Sequence, residues 1–345
     1  MLEVEIYQDS KEEWDDFTEK QDNSTFFHQY GWGKVIQRTY GHRSLYLSVK
    51  EDNNLRGILP LSLMKHPLFG RFLISVPFGD YGGICALDED SEDALLLKAI
   101  NLVEDKKAKY LELRNTKKME HDNLLTKTSR VSLILPLAEN PEEIWKGFKP
   151  KVRNQVRKAE KSGLEAFIGD KEMLRDFYNI FAVNMRDLGT PVHSISFFDN
   201  ILDEFSDKTR VILVKSEDTT VGGGIITHFR DTIEIPWASS LREYFPMCPN
   251  NLLYWKALEY GCLNGYKYFN FGRSPWDSGT FKFKKQWGAE PVQLYYQYYL
   301  REGDEMPDYT ASTSSRFDKA IWIWKHLPVG ITKLIGPSII SGIPY

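Results

Sequence analysis

Several segments of the 345-residue chain carry side chains suited to binding or moving charge. Arg273 ends the strand-like run Lys267-Tyr268-Phe269-Asn270-Phe271-Gly272, a usual position for a ligand contact in an α/β sheet. Its guanidinium there either grips a phosphate or carboxylate in bidentate fashion or closes a structural salt bridge. Asn250 and Asn251 follow Pro249 at an expected helix start, where unpaired backbone N–H groups and the helix dipole favour an anion. Plain capping would account for one of them. Lys146 to Lys161, KGFKPKVRNQVRKAEK, holds seven basic residues against one acid. From Val152 it reads as a helix with Arg153, Arg157 and Lys161 on one face and Val152, Val156 and Ala159 on the other. Such a face either holds a diphosphate or is solvated. Lys282, Lys284 and Lys285 crowd the segment FKFKKQWG, where an edge-strand role is the alternative to a functional one.

Other chemistries find no support. The seven His residues show no HExxH or other ligand spacing, so no metal is expected, and no Ser/His/Asp constellation can be read from order alone. Gly222-Gly223-Gly224 lacks the phosphate-loop pattern and falls in a predicted strand, where close backbone approach or a bulge explains it better. Cys85, Cys248 and Cys262 are odd in number and lack CxxC spacing, which suits buried thiols in a reducing compartment.

The elements that must position these residues repeat. Leu45 to Leu59 alternates apolar and polar residues, turns at Asp52-Asn53-Asn54 and resumes as a strand, and Val211 to Ile226 does the same. Each hairpin is followed by a strand carrying Pro and an aromatic, Val76-Pro77-Phe78 and then Ile235-Pro236-Trp237. A helix comes next, Ser91 to Lys107 and then Asn250 to Asn264. Each helix leads into a similar strand, Lys109 to Leu113 before Arg114 and Lys267 to Phe271 before Gly272-Arg273. Hairpin, strand, helix, strand, twice in order, predicts two related mixed α/β units rather than a solenoid. The domains read as 1–145, a basic linker helix at 146–165, a second domain at 166–302 and a tail at 303–345.

Composition agrees with two cores, at 42% hydrophobic and 27% charged residues. Nine Trp and eighteen Tyr suit clefts lined by flat amphipathic side chains. The net charge of −4 gives no global field that would gather nucleic acid, so a local patch would have to do so. The acidic start and the lack of a long uncharged apolar run lead us to expect a cytoplasmic, non-spanning protein. The tail from Phe317 to Tyr345 carries Trp322, Trp324 and several Ile and Leu among Lys319, Lys325 and Lys333, broken by Pro328 and Pro337. These pieces either lie at a membrane interface, at the inner face of the membrane, or pack on the second domain.

The VRNQVRKAEKSGL helix, the PNNLLYW helix start, FNFGRS, and GTFKFKKQWG before a Tyr-rich strand together resemble the Fem-type peptidoglycan-bridge transferases and related GNAT-superfamily acyltransferases. The likeness spans roughly residues 25 to 300 and is most specific from Asn250 to Gly288. It implies an α/β (α+β) architecture of tandem GNAT-like domains, each a mixed twisted sheet flanked by helices, with a groove at their junction. It further implies acyl transfer to an amine of a cell-envelope or polysaccharide precursor. The acceptor is a small-molecule or lipid-linked amine, and the donor is acyl-CoA such as acetyl-CoA, or aminoacyl-tRNA. The coenzyme A loop of ordinary GNAT enzymes is replaced here by PMCPNN. A precursor-binding protein without catalysis is the reading from another class. On this resemblance Phe283-Lys284 matches the family's Phe-Lys pair, with Lys284 holding the donor or the charge formed in transfer. Asp80 and Tyr81, in the loop PFGDYGG, match the acceptor side, where Asp80 orients the amine, acts as its base, or merely forms the turn. Trp237, Tyr254 and Phe283 are candidates to line the substrate path.

Overall fold

The computed structural model describes residues 1–67, 70–307 and 318–343. Its strands run in chain order β1 (Glu3–Ile6), β2 (Arg43–Glu51), β3 (Asn54–His66), β4 (Gly70–Ser75), β5 (Cys85–Ala86), β6 (Tyr110–Asn115), β7 (Leu125–Lys127), β8 (Arg130–Pro136), β9 (Leu164–Gly169), β10 (Thr209–Ser216), β11 (Thr219–Phe229), β12 (Thr232–Ser240), β13 (Tyr268–Pro275), β14 (Glu290–Gln293) and β15 (Tyr295–Leu300). The helices are α1 (Lys11–Lys20), α2 (Tyr30–Tyr40), α3 (Glu89–Asp105), α4 (Pro141–Gly147), α5 (Pro150–Lys161), α6 (Leu174–Leu188), α7 (Ile195–Glu204), α8 (Pro249–Leu263), α9 (Gly279–Lys285), α10 (Asp318–His326) and α11 (Val329–Ile340).

Two compact units result, one of residues 1–130, 293–309 and 341–345, the other of residues 131–292 and 310–340. The first contains a sheet ordered β1-β2-β3-β4-β6-β15-β7 with β5 beside β3, the second a sheet ordered β14-β8-β13-β12-β11-β10-β9. Both sheets are mixed and flanked by helices, and the duplicated order holds. In each, an antiparallel hairpin and a third antiparallel strand are followed by a helix and a parallel strand. The hairpin turns sit where Asp52 and Asn53 (φ 50° and 62°) and Glu217 (φ 52°) adopt left-handed backbone, which Asn and Asp tolerate best among residues with a β-carbon.

Four details differ from the sequence reading. Val76-Pro77-Phe78 is a loop past the end of β4, with Val76 and Phe78 at φ 40° and 64°, whereas Ile235-Pro236-Trp237 does lie in β12. Helix α3 is capped by Asp88, whose carboxylate accepts the Ser91 N–H, so the helix starts earlier than Ser91. Cys248 is half-buried, because it occupies the left-handed turn that precedes α8. The unit boundaries depart from ends at 145 and 302 because each sheet takes its outermost inner partner from across the chain. Strand β8 leaves the first half to join the second sheet, and β15 returns to pair with β6 over six residue pairs.

Strand β15 is locked by Gln297, a fully buried amide. Its oxygen accepts from Asn115 Nδ2 (3.0 Å) and the Met119 N–H (2.9 Å), while Nε2 donates to the Met119 carbonyl (2.8 Å). Replacing Gln297 with Leu leaves these partners buried and unpaired and should cost roughly 3 kcal/mol. Thermal unfolding followed by circular dichroism checks this, and an unchanged midpoint would contradict it.

The cores follow the patterns. In the first unit the inward leucines of β2 and β3 meet Leu95, Leu96, Ala99, Leu102 and Val103 of α3, and Trp14, Tyr46 and Ile58 form a second cluster. In the second unit Val152, Val156 and Ala159 of α5 are fully buried with α8 against β10 to β13. The expected linker helix is therefore an integral part of the second unit's core. Pro328 separates α10 from α11, but Pro337 lies inside α11 and does not break it. Residues 308–317 of the expected tail fall outside the described residues.

Candidate functional site

The second unit's parallel strands pair only from Thr232↔Tyr268 to Glu234↔Asn270, after which both continue without a mutual partner. The candidate residues gather at the far ends of these diverging strands. At the end of β12, Ser240 donates its hydroxyl to Asn250 Oδ1 (2.7 Å) at the start of α8. Asn251, buried, donates from Nδ2 to Gln155 Oε1 of α5 (3.3 Å). The two asparagines therefore tie α8 to β12 and to α5.

Within β13, past the last residue paired with β12, Gly272 turns at φ 73° and its N–H is taken by Asn270 Oδ1 (2.8 Å). A short loop follows to Ser278, whose hydroxyl caps α9 by accepting the Phe281 N–H (3.1 Å). The FKFKK segment is thus helical, which removes the edge-strand alternative. Helix α9 aims Lys284 back at the strand, where its ammonium donates to the Gly272 carbonyl (3.0 Å) and the Arg273 carbonyl (2.9 Å). Lys284 is 8% exposed, whereas Lys282 is exposed and Lys285 is half-buried and pairs with Glu290 (2.6 Å). A buried ammonium is costly unless it is hydrogen-bonded, and the two carbonyls help to meet that need. Phe283 packs on Tyr254 (ring centroids 5.3 Å), which in turn stacks on Phe271 (5.3 Å). Burial raises the Tyr254 hydroxyl well above the ordinary tyrosine range, so it stays protonated. Arg273 is half-buried beside these groups in sequence, and its carbonyl accepts from the same lysine.

The two arginines of α5 have different surroundings. Arg153 is half-buried, with a buried Nε that has no hydrogen-bond partner. Arg157 is exposed and lies over the Trp145 ring (5.6 Å), in an open hollow of about 310 Å³ lined also by Glu142, Glu160 and Glu259. An anion there would face three carboxylates. Trp237 is 9% exposed, wedged edge-on against Phe197 (5.7 Å) and Phe198 (5.5 Å), which gives it a place in the core.

Asp80 and Tyr81 belong to the first unit, in the loop between β4 and β5. Their side chains are half-buried, and the loop is pinned through its carbonyls. Asp80 accepts from the Tyr296 hydroxyl (2.6 Å), Tyr81 from the Thr25 hydroxyl (3.1 Å) and Gly83 from His28 Nε2 (3.0 Å). His28 Nδ1 accepts the Thr25 N–H (3.0 Å), so the imidazole is the neutral Nε2–H tautomer, and burial lowers its pKa to about 4. A pocket of about 60 Å³ lies against this loop, lined by His28, Gly83, Glu92, Asn115 and Lys117 among others, and burial pushes the Glu92 carboxyl up. That volume accommodates a few small polar groups at most.

Repeat symmetry reveals a residue the sequence reading passed over. Arg114 follows the run Lys109 to Leu113 of the first unit as Gly272-Arg273 follows Lys267 to Phe271 of the second. It is fully buried, paired with Glu112 (2.8 Å), bonded to the Gly79 carbonyl (2.6 Å) and set over Tyr296 (5.3 Å). The corresponding strand end in the first unit is therefore filled by protein side chains. Ser240 and Gln155, which hold the two asparagines, were likewise unsignalled, because hydrogen-bond pairing across distant segments leaves no local pattern. Among the described residues no group of three or more His, Cys, Asp or Glu is placed to hold a metal ion.

Residues 146–285 match the model of an acetyltransferase (GNAT) domain. A lipid II:glycine glycyltransferase of Staphylococcus haemolyticus is 25% identical over 233 residues, covering 61% of this chain and 55% of that protein. The chain spans about half the length of the curated relatives it matches. In fold it is similar to the crystal structure of FemX, with a TM-score of 0.69 at 17% identity over 87% of this chain and 97% of that one. It is also similar to a tandem GNAT protein from the clavulanic acid pathway, with a TM-score of 0.56 at 12% identity over 86% of this chain and 98% of the other. In sequence this chain is homologous to the lipid II:glycine glycyltransferases and carries a GNAT domain, and in fold it is similar to FemX and to tandem GNAT proteins.

Proposed function

We propose that the protein transfers an aminoacyl or acyl group to an amine of a cell-envelope precursor, with Lys284 at the reacting centre. The observation that carries this reading is the buried Lys284 ammonium, fixed on the part of β13 that has parted from its parallel neighbour. In such a reaction the acceptor nitrogen bonds to the donor carbonyl carbon and loses its proton as the ester or thioester bond breaks. Negative charge grows on the carbonyl oxygen, and a preorganised cation excluded from water stabilises it. Arg153, with a buried donor still unmatched, is suited to a phosphate of either substrate. Asp80 and Tyr81 are assigned to the acceptor.

For the donor, the start of α8 favours an aminoacyl ester carried on tRNA over coenzyme A. A helix start grips a pyrophosphate through free N–H groups. Here Pro249 has none, and the Asn251 and Leu252 N–H groups bond to the Cys248 carbonyl (3.1 and 3.4 Å). The acceptor fits a lipid-linked amine, as the name lipid II:glycine glycyltransferase of the curated relatives suggests. This chemistry belongs on the cytoplasmic side of the membrane, and no described helix is long and apolar enough to cross it.

Thermal-shift titration separates the alternatives, since a ligand at 100 times its Kd stabilises by about 2.7 kcal/mol. Stabilisation by charged tRNA and by a peptide precursor, with transfer when both are present, is expected. Stabilisation by acetyl-CoA instead would overturn the donor assignment. Binding of precursor with no transfer from any donor would leave a binding protein.

A further inference from the structure

The segment Phe317–Tyr345 carries three lysines and one aspartate, a net charge of +2 in a chain whose total is −4. It forms α10 and α11, and each has two unlike sides. One side packs on the second unit: Trp324, Thr332 and Ile340 are buried, and Gly336 lies so close to Val192 that an added β-carbon would sit 3.0 Å from its backbone nitrogen. Both helices contact α6. The other side faces outward. On α10 it presents Lys319, Trp322 (63% exposed), Ile323 (54%) and His326 at helical spacing, and on α11 Ile331, Leu334 (79%) and Ile335. Of the seventeen large hydrophobic side chains exposed among the described residues, five fall on these two helices, so they form a stripe rather than the usual scatter.

We propose that this outward face of α10 and α11 seats the protein on an anionic lipid surface. The side chains suit the occupant. Trp322 offers a flat amphipathic ring, Ile323, Leu334 and Ile335 are able to enter the acyl boundary, and Lys319 stands beside them to meet lipid phosphates, while the Lys325 stem lies against Gly189. A second copy of the chain would instead bring the same lysines against their own kind. The contact is shallow and reversible, as expected for two short helices without a spanning segment. It does not depend on which donor or acceptor the site uses.

The test uses the full chain, sedimented with vesicles of phosphatidylcholine alone or with about one-third phosphatidylglycerol. Binding to the anionic vesicles only, weakening as salt is raised, is the expected result. The double variant Leu334→Asp with Ile335→Asp changes two exposed positions and should lower the bound fraction at least about tenfold, with an unchanged melting midpoint. Equal binding by the variant, or no binding of the native chain to anionic vesicles, overturns the proposal. So does light scattering that shows a native dimer converted to monomer by the variant.

Discussion

Replacing Lys284 with methionine is expected to lower the rate of group transfer by about a hundredfold or more, while acceptor binding changes little. The side chain is nearly as long and keeps the packing under β13, but it carries no charge to meet the oxygen that becomes anionic during attack. The ammonium also ties α9 to the Gly272 and Arg273 carbonyls, so part of any loss could reflect a loosened strand end. Two measurements separate these effects. The melting midpoint reports the loosening, and single-turnover rates at saturating acceptor report the chemistry. Lys282→Met, an exposed position one turn-face away on the same helix, should stay within about threefold of native. A Lys284→Met protein that turns over at the native rate would remove the residue from the mechanism and with it the main support for the proposed function.

Acid should destabilise both units, each through a buried histidine. His28 in the first unit and His193 in the second are held neutral by desolvation, at about 4 and about 3 respectively. The unfolded chain protonates them near 6.5. Below that pH the unfolded state takes up protons that the folded state refuses, so stability falls as pH drops from about 6.5 towards the folded values. By about pH 4.5 each site should have lost roughly 2.5 kcal/mol relative to neutral pH. The physical settings differ. His28 is fixed as one tautomer by the Thr25 amide and the Gly83 carbonyl, whereas His193 stacks on Phe197 at 4.5 Å. Urea unfolding at about pH 7.5 and about pH 4.5 measures the loss. His193→Phe, which keeps the stacked ring and removes the titration, should flatten the pH dependence of the second unit. A native protein equally stable at both values would refute the account.

How much of this was legible beforehand depended on whether the signal was local. The repeated hairpins were visible because a period-two pattern and an Asp-Asn turn sit within a few residues of each other, and α5 was visible because its valines recur at helical spacing. Loop conformation was less legible. Val76-Pro77-Phe78 looked like its counterpart Ile235-Pro236-Trp237, yet it takes left-handed backbone at two positions, and the loop beyond it is held by the Arg114 guanidinium of β6 and the Tyr296 hydroxyl of β15. In the site, proximity of Tyr254, Phe283 and Lys284 could be anticipated from family motifs. The partners Ser240 and Gln155 could not, since each meets its asparagine across an interval of sequence that carries no period. Arg153 and Arg157 looked equivalent on a helical wheel, and burial, the Trp145 ring and the carboxylates of Glu142, Glu160 and Glu259 distinguish them.

The exchange of β8 and β15 between the two sheets bears on how the molecule is made. A gene cut at its midpoint would yield a first polypeptide lacking β15 and a second lacking β8 and β9, and neither would complete its sheet. During translation one edge of β6 must wait for β15, which leaves the ribosome after nearly the whole second unit has been synthesised. Maturation of the amino-terminal half is therefore a late event, and chaperones that shield exposed strand edges would be needed most in that interval.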